Sequence, residues 1–239
     1  MRNSIVDVLR ANSYPGRGMI LGLSETGNRS VLVYFIMGRS ANSRNRIFEK
    51  TGDGIRTAAH DPGKMADPSL VIYHPVRFLD ERSIVTNGDQ TDTICEHLSS
   101  GPGGFHSALL TREFEPDPPI FTPRISGLME QNGTYQMSVL KTADGDPACC
   151  CRYFFEYSTP IPGRGHFIST YKSDGDPPPS FEGEPIAVDI TVDDGLEHFA
   201  MSIWDALNEK NKVSLCAREM VIKNGETFDI IINKNVVIK

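Results

Sequence analysis

The sequence lacks a basic excess, a long apolar segment and a secretory leader. Its 239 residues include 31 acidic side chains against 24 lysines and arginines, which gives a net charge of −7 at pH 7. Proteins that bind nucleic acid or acidic membranes through a broad surface normally carry the opposite balance. No apolar run approaches the about 18 residues needed to cross a bilayer. We therefore expect a cytoplasmic protein without a nucleic-acid or membrane partner.

The cysteines and histidines also lack the spacing of a metal site or a disulfide framework. Three of the five cysteines are consecutive, at Cys149, Cys150 and Cys151, and the six histidines form no HxH or HExxH pair. Adjacent side chains of a strand point to opposite faces, so Cys149 and Cys151 share one face and Cys150 lies on the other. The sequence predicts reduced, structural cysteines, no metal site and no cofactor.

Apolar periodicity and turn residues define the elements that are present. About ten strands, mostly in hairpins, alternate with three substantial helices, which is typical of an α+β fold with two antiparallel sheets covered by helices. The helices are predicted at 93–98, 105–114 and 196–207, after a short one at 5–9. The strands include 19–23, 30–37, 47–55, 70–73, 149–157, 166–171, 186–192, 213–222 and 228–238.

The stretch from residue 70 to residue 92 is the most informative one. An apolar run at 70–73 is interrupted by Pro75 and resumes as alternation, and the second strand ends in Asn87-Gly88-Asp89 directly before a helix. Polar groups between a strand end and a helix N-terminus can bind an anionic or carbonyl ligand. The alternative is a plain turn, with Asp89 or Asp92 serving only as the N-cap.

A second informative stretch, residues 38–46, follows a continuous apolar run that predicts a central strand buried on both faces. It contains three arginines and no acid, in a chain that is acidic as a whole. The planar guanidinium fork is suited to carboxylate or phosphate. The pattern is equally compatible with an anion-binding loop and with a solvated surface loop.

Five fragments in register across residues 17–185 give the sequence a family resemblance. They are Gly38-Arg39-Ser40 with Asn45-Arg46, Tyr73-His74-Pro75-Val76-Arg77, Asn87-Gly88-Asp89-Gln90-Thr91-Asp92, Thr122-Pro123-Arg124-Ile125-Ser126-Gly127, and Ile168-Ser169-Thr170-Tyr171. With these fragments the chain resembles the archaeal-type IMP cyclohydrolases. The resemblance implies the four-layer αββα sandwich of the N-terminal-nucleophile (Ntn) hydrolases. It also implies closure of 5-formamidoimidazole-4-carboxamide ribonucleotide (FAICAR) to IMP with loss of water, the last step of purine synthesis.

The resemblance and the chemistry of this ring closure together give the candidate site residues. The charge that develops on the formyl oxygen needs hydrogen-bond donors, and an acid–base pair must move the protons. The candidates are Tyr73 and Glu115 as the acid–base pair, Arg39 as a catalytic and substrate-binding residue, and Arg46, Lys64, Asn87, Asp92 and Arg124 as substrate-binding residues. For Glu115 the alternative is a solvated acid in a proline-rich loop.

The chain departs from the family pattern at an N-terminal extension over residues 1–15, at the triple cysteine and at the final helix and hairpin. Because it starts Met1-Arg2-Asn3, catalysis by an N-terminal Ser, Thr or Cys is not expected. We expect a single domain over residues 1–239 and a homo-oligomer that acts on a small purine nucleotide. Two alternatives stay open: a related nucleotide or amide hydrolase, and a non-catalytic nucleotide-binding homologue.

Overall fold

The computed structural model of the protein describes residues 3–101 and 103–236 and contains a six-stranded and a seven-stranded sheet. The predicted end of the last strand at 237–238 and the start of the chain at residues 1–2 lie outside the described residues. In chain order the elements are α1 Ile5–Ala11, β1 Arg17–Leu23, β2 Arg29–Met37, α2 Ala41–Arg44, β3 Arg46–Thr51, β4 Gly54–Ala59, a 3₁₀ turn Pro62–Lys64, β5 Val76–Leu79, β6 Arg82–Thr86, α3 Gln90–Ser99, α4 Phe105–Leu110, β7 Arg124–Met129, β8 Tyr135–Ala143, β9 Asp146–Tyr157, β10 Arg164–Ser169, β11 Ile186–Asp189, α5 Leu196–Ala206, β12 Lys212–Val221 and β13 Thr227–Asn233.

Both sheets are antiparallel throughout. The first has the strand order β11-β10-β1-β2-β12-β13, and the second has the order β3-β4-β5-β6-β7-β8-β9. All neighbouring strands in the second sheet are consecutive in sequence, because each connection is a hairpin, a loop or a short excursion through helices. The prediction of an α+β chain with two antiparallel sheets is confirmed.

Apolar alternation along β2 explains how the sheets are packed. Val33 and Phe35 pack in a cluster with α1 and α5, whereas Leu32 and Ile36 belong to a second cluster shared with the other sheet. A third cluster joins that other sheet to α3 and α4. Strand β2 is buried on both faces, as predicted, because one face meets helices and the other meets a sheet.

The prediction of a strand at residues 70–73 is wrong. Two N–H groups of this segment donate to the Pro68 carbonyl oxygen, as in a helical turn, and the segment is tied to Thr57 through the backbone of Tyr73. Proline favours a turn at position 68, and Pro75 cannot donate to a sheet ladder. β5 therefore begins only after Pro75.

Other differences are smaller. The predicted strand over 47–55 is the hairpin β3–β4, and the helix predicted over 105–114 ends at Leu110. The predicted helices α1, α3 and α5 are present, and the three consecutive cysteines lie in β9 as expected. All five cysteines are unpaired thiols, and Cys150 packs against the α3–α4 cluster.

Candidate active site

The candidate site gathers polar residues between the two sheets, at the end where β6 finishes and β7 begins. The first sheet contributes Arg17, the first residue of β1, and Tyr34 from the middle of β2. The second sheet contributes Arg46 at the start of β3, and the pairing registers bring this residue to the same end as Thr86 and Ser126. Buried polar residues of this kind need partners because their desolvation is costly.

A largely buried ion pair crosses from the first sheet to the loop before β7. Arg17 Nη2 lies 3.1 Å from each carboxylate oxygen of Glu115, and Asn87 Nδ2 donates to Glu115 Oε1 over 3.3 Å. The Glu115 residue is only 2% exposed, and its backbone N–H donates to Thr122. Glu115 is therefore not a solvated loop acid.

The protonation behaviour of this pair follows from its burial. Burial raises the pKa of Glu115, and the charges of Arg17 and Arg124 oppose that rise. Burial alone would lower the pKa of Arg17, but Glu115 beside it raises that pKa well above the usual range. Arg17 thus keeps its charge, while Glu115 accepts a proton at a higher pH than an ordinary glutamate does.

Two tyrosine hydroxyls meet across the sheets. The hydroxyl oxygens of Tyr34 and Tyr73 are 2.9 Å apart, and Tyr73 is 8% exposed. Burial raises the pKa of Tyr34 well above its usual value, and Tyr73 beside it adds to the rise. Two hydroxyls in contact share one hydrogen bond, so the proton of the second hydroxyl can be donated elsewhere.

Arg46 is the most informative residue of the site. It is 2% exposed, Nε donates to the Ser43 carbonyl oxygen over 2.8 Å, and Nη2 reaches the Met37 carbonyl oxygen at 3.3 Å. Its Nη1, like Nε of Arg17, is buried and has no hydrogen-bond partner among the described residues. Burial lowers the pKa of Arg46, and the charge of Arg17 lowers it further. Two cationic donors without an acceptor indicate a place for an anionic or carbonyl oxygen.

Asn87 is held in one orientation by the protein itself. Its Nδ2 donates to Glu115 and to the Pro123 carbonyl oxygen, and its Oδ1 accepts from Gln90 Nε2 and from the backbone N–H of Ile125. These four bonds fill the donor and acceptor capacity of the amide. Asn87 thus fixes the position of Glu115.

A second group of charges lies at the beginning of α3. Asp89 Oδ1 is 2.7 Å from Arg124 Nη1 and 2.5 Å from Arg112 Nη2, while Arg124 Nη1 also donates to Gln90 Oε1 at 2.5 Å. Burial would raise the pKa of Asp89, but the two arginines lower it below the usual value. Asp89 is the N-cap residue of α3, yet its side chain forms no capping bond because the arginines occupy it.

The remaining three candidates lie outside this cluster. Arg39 donates to Asp174 Oδ1 over 3.0 Å and lies 4.8 Å from the ring centre of Tyr14. Lys64 forms an exposed pair with Asp61, and Asp92 accepts from Arg77 Nε over 2.9 Å. The structure therefore brings together Tyr73, Glu115, Arg46, Asn87 and Arg124 and leaves Arg39, Lys64 and Asp92 at other contacts.

Sequence reasoning missed Arg17, Tyr34 and Gln90 as members of the cluster. Each carried a usable signal, since Arg17 opens a strand, Tyr34 interrupts a run of aliphatic residues, and Gln90 follows the Asn-Gly-Asp turn. A polar group inside an element that is buried on both faces must find a polar partner, which marks it as part of a network.

Two classes of site are absent from the described part of the chain. Within residues 3–101 and 103–236, no three His, Cys, Asp or Glu side chains are grouped so that they could hold a metal ion. Among the same residues, none of the helices has the length and apolar character required to cross a membrane.

Comparison with known proteins gives a consistent result. Residues 14–226 match the family model described as IMP cyclohydrolase-like protein. The IMP cyclohydrolase of Methanopyrus kandleri is 29% identical over 161 residues, which are 66% of this chain and 75% of that protein. That of Methanothrix thermoacetophila is 26% identical over 173 residues, 71% of this chain and 80% of that protein. For Methanococcus aeolicus the values are 25% over 136 residues, 56% of this chain and 64% of that protein. The family match extends through α5 and β12, where the sequence alone offered no resemblance.

Proposed function

The chain belongs to the IMP cyclohydrolase-like family, and from this membership we propose that it is an IMP cyclohydrolase that closes FAICAR to IMP with loss of water. The observation that supports a site between the sheets is the pair of buried guanidinium donors without acceptors, Arg46 Nη1 and Arg17 Nε. Tyr73 lies close to both arginines, and its phenol contributes a rise to the pKa of each guanidinium group. A substrate oxygen is the acceptor that these donors lack.

The carboxamide nitrogen attacks the formyl carbon, and negative charge develops on the formyl oxygen. Arg46 Nη1 and the Tyr73 hydroxyl donate to that oxygen. Both donors are held before the substrate arrives, Arg46 by two backbone carbonyl oxygens and Tyr73 by Tyr34 and Thr57. Preorganised donors of this type stabilise the transition state without a cost of reorganisation.

The protons balance with one acid–base pair. Each substrate nitrogen loses one proton during the reaction, and the departing oxygen receives both and leaves as water. In the attack step Glu115 accepts a proton from the carboxamide nitrogen, and Tyr73 gives its proton to the formyl oxygen. In the dehydration step Glu115 returns its proton to the departing hydroxyl, which leaves as water, and the Tyr73 phenolate recovers a proton from the formamido nitrogen. Burial raises the pKa of Glu115, which makes it a better base than an exposed glutamate. Arg17 and Asn87 hold the Glu115 carboxylate in place.

The 5′-phosphate requires cations at the edge of the site. Arg39 fits this task because its present partner Asp174 is half-exposed and can be exchanged for a phosphate. Arg124, whose charge is shared with Asp89, adds a second cation near Glu115. Lys64 and Asp92 take no part in this scheme. Lys64 is paired at the surface with Asp61, and Asp92 is paired with Arg77.

The proposed function also implies the four-layer Ntn-hydrolase fold and a cytoplasmic location. The three apolar clusters, helix to sheet, sheet to sheet and sheet to helix, support the four-layer arrangement of the Ntn hydrolases. The scheme uses no N-terminal nucleophile. A biosynthetic role in purine synthesis supports a cytoplasmic location.

An ultraviolet assay of IMP formation tests the proposal. The purified chain, pretreated with chelator and reductant, should convert FAICAR to IMP, because guanidinium groups supply the positive charge in this scheme. Other formamido nucleotides should react more slowly. Turnover of such a nucleotide without turnover of FAICAR would indicate a related cyclohydrolase or hydrolase instead. Failure to bind or convert any purine nucleotide would indicate a non-catalytic homologue.

A further inference from the structure

The outer edge of β9 is a long edge of the seven-stranded sheet, unpaired in the part of the protein that the structure describes. β9 spans Asp146–Tyr157 and, with 12 residues, is the longest strand of the described chain; it pairs with β8 over residues 150–157 and again at Asp146. Within the described residues no strand pairs with its other side. The other edge strands β3, β11 and β13 have 6, 4 and 7 residues. A long edge presents a row of backbone donors and acceptors to which another strand can pair.

This edge lacks the usual protection against pairing. Proteins block sheet edges with charges, prolines, bulges or very short strands. In β9 the only proline is Pro147, at the hairpin end, and the one register shift also lies there, between Thr142 and Ala143. Beyond Pro147 the strand holds just two charges, Arg152 and Glu156, among cysteines and aromatic residues.

The two charges have a spacing that suits a twofold axis. A twofold axis perpendicular to a sheet leaves each side chain on the same face of the sheet in both copies. Residues directly opposite each other in an antiparallel pair also lie on one face. A symmetric pair of this kind must therefore be centred on a residue and not between two residues. Arg152 and Glu156 lie two residues on either side of Phe154 and share its face. An axis at Phe154 places Arg152 opposite Glu156 of the partner subunit, twice, since the relation is reciprocal. Opposite charges directly across a strand pair stabilise it.

Aromatic residues on the other face agree with the same register. An axis at Phe154 sets Tyr153 opposite Phe155 of the partner subunit. Tyr153 is 40% exposed, and its ring lies parallel to that of Phe155 in its own chain with centroids 6.4 Å apart. Aromatic cross-strand pairs are favourable, and this one would cover an exposed ring.

Three other registers are worse. An axis at Arg152 sets two arginines against each other, and an axis at Glu156 sets two glutamates against each other. An axis at Cys149 would pair Asp146 with Arg152, but it would also bring Pro147, which has no N–H, into the new ladder. The register around Phe154 uses residues 151–157, none of which is a proline.

We propose that two copies of the chain form a twofold-symmetric dimer in which β9 pairs antiparallel with β9 of the second copy, centred on Phe154. The pairing joins the two seven-stranded sheets into one continuous sheet and removes the exposed edge. This inference goes beyond the proposed function and does not depend on it, because no residue of the proposed catalytic scheme lies in β9.

The test is a charge exchange, read as mass by light scattering after gel filtration in reductant. The unmodified chain should show an assembly that contains this dimer, at least twice the chain mass of 26.4 kDa. Arg152→Glu and Glu156→Arg each set like charges opposite one another at two places and should weaken the dimer roughly tenfold or more. The double variant R152E/E156R restores opposite charges and should restore the dimer. Glu197→Arg, an exposed change on α5, is the matched control and should leave the mass unchanged.

The mass of the unmodified chain is measured over a 100-fold range of concentration that ends at the highest soluble one, and a monomer throughout this range would overturn the proposal. Single variants that keep the full mass of the assembly would also overturn it. So would a double variant that dissociates like the single variants. A dimer that forms only without reductant, through Cys149, would also overturn it. Because Arg152 Nη2 donates to the Arg112 carbonyl oxygen over 2.8 Å, the melting temperature of Arg152→Glu is measured as well. Glu156→Arg, whose native side chain is exposed, keeps the test valid if Arg152→Glu fails to fold.

Discussion

At the scale of single residues, the proposed chemistry depends on Tyr73, whose hydroxyl lies 2.9 Å from that of Tyr34. Tyr73→Phe removes one donor and almost no packing. A donor to a developing oxyanion contributes about 2.7–4 kcal/mol, so kcat should fall roughly a hundred- to a thousandfold while KM changes little. The lost hydrogen bond to Tyr34 should lower the stability by about 0.5–1.5 kcal/mol.

Tyr34→Phe is the matched control for this experiment, because it deletes the same hydrogen bond from the other side. Both variants should show a similar loss of stability in thermal or denaturant unfolding. Tyr34→Phe loosens the Tyr73 hydroxyl but does not remove it, so its kcat should fall far less than that of Tyr73→Phe. Equal kcat values in the two variants would remove Tyr73 from the catalytic scheme and leave it as a structural tyrosine.

The proposed role of Glu115 as the base predicts how kcat/KM depends on pH. Burial raises its pKa above the ordinary value, and as a base it must be ionised. The rate constant kcat/KM should therefore decline as the pH falls through this raised pKa, at a higher pH than an ordinary glutamate would produce. Glu115→Gln should lower kcat about 10²–10⁴-fold and abolish this acidic limb. It also leaves Arg17 buried without its counter-ion, so the variant should melt at a lower temperature.

Glu113→Gln is the control for this loop, since Glu113 lies two residues earlier and its side chain is 67% exposed. Its pH profile and kcat should match those of the unmodified chain. An unmodified chain whose kcat/KM stays flat down to the pKa of a free carboxylate would contradict the role of Glu115 as the base.

At the scale of elements, the far end of the sheets is joined by a histidine between two tyrosines. The Tyr135 hydroxyl oxygen and His166 Nδ1 form a hydrogen bond of 2.6 Å, and the His166 ring stacks on Tyr157 with centroids 3.9 Å apart. These contacts link β10 of one sheet to β8 and β9 of the other. Burial lowers the pKa of His166 from its usual 6.5 to about 4, and Arg164 adds to this effect.

A pH dependence of stability follows from this contact. Between pH 6.5 and about 4 the unfolded chain binds a proton at His166 that the folded chain does not bind. The stabilising contribution is thus present above pH 6.5 and is lost as the pH falls through the folded-state pKa. His166→Gln should flatten this part of the stability profile in denaturant unfolding, and a change at the exposed His198 should not. An unchanged slope in His166→Gln would show that the ring has no titration shift.

The elements also show which parts of the fold were predictable. The helix α5 and the strand β2 were predicted within a few residues, because a 3.6-residue period and a long apolar run are local signals. Residues 70–73 were also apolar but form a turn, since prolines on both sides and a contact with Thr57, distant in sequence, decide their conformation. Propensity cannot show such a contact.

The candidate site follows the same pattern. Glu115 and Asn87 were placed together with Tyr73 through the family resemblance, whereas Arg17 and Tyr34 were missed because they come from the other sheet. Their contacts with Glu115 and Tyr73 depend on how the two sheets face each other. Local patterns give the strands, and only the packing of the sheets gives the site.

At the scale of the whole molecule, an acidic chain encloses a cationic site. The net charge is −7, yet Arg46 and Arg124 are buried, and Arg17 is largely buried beside the buried carboxylate of Glu115. Buried charges are expensive unless they are paired. Arg46 Nη1 is buried and has no partner among the described residues, which costs desolvation free energy. A hydrogen bond from this donor to the substrate would explain why the protein keeps it. This use of Arg46 is the central claim of the proposed function.

The most direct test is kcat/KM for FAICAR in Arg46→Lys, measured beside Arg44→Lys. Lysine keeps the charge at position 46, but its single nitrogen cannot donate at the positions of Nε, Nη2 and Nη1 together. A lost charge-assisted hydrogen bond contributes about 1.5–3 kcal/mol, so kcat/KM should fall roughly ten- to a hundredfold while the chain stays folded. Arg44→Lys, whose native side chain binds Gly38 and Asn211, should retain nearly full activity. A folded Arg46→Lys variant with unchanged kcat/KM would contradict the account.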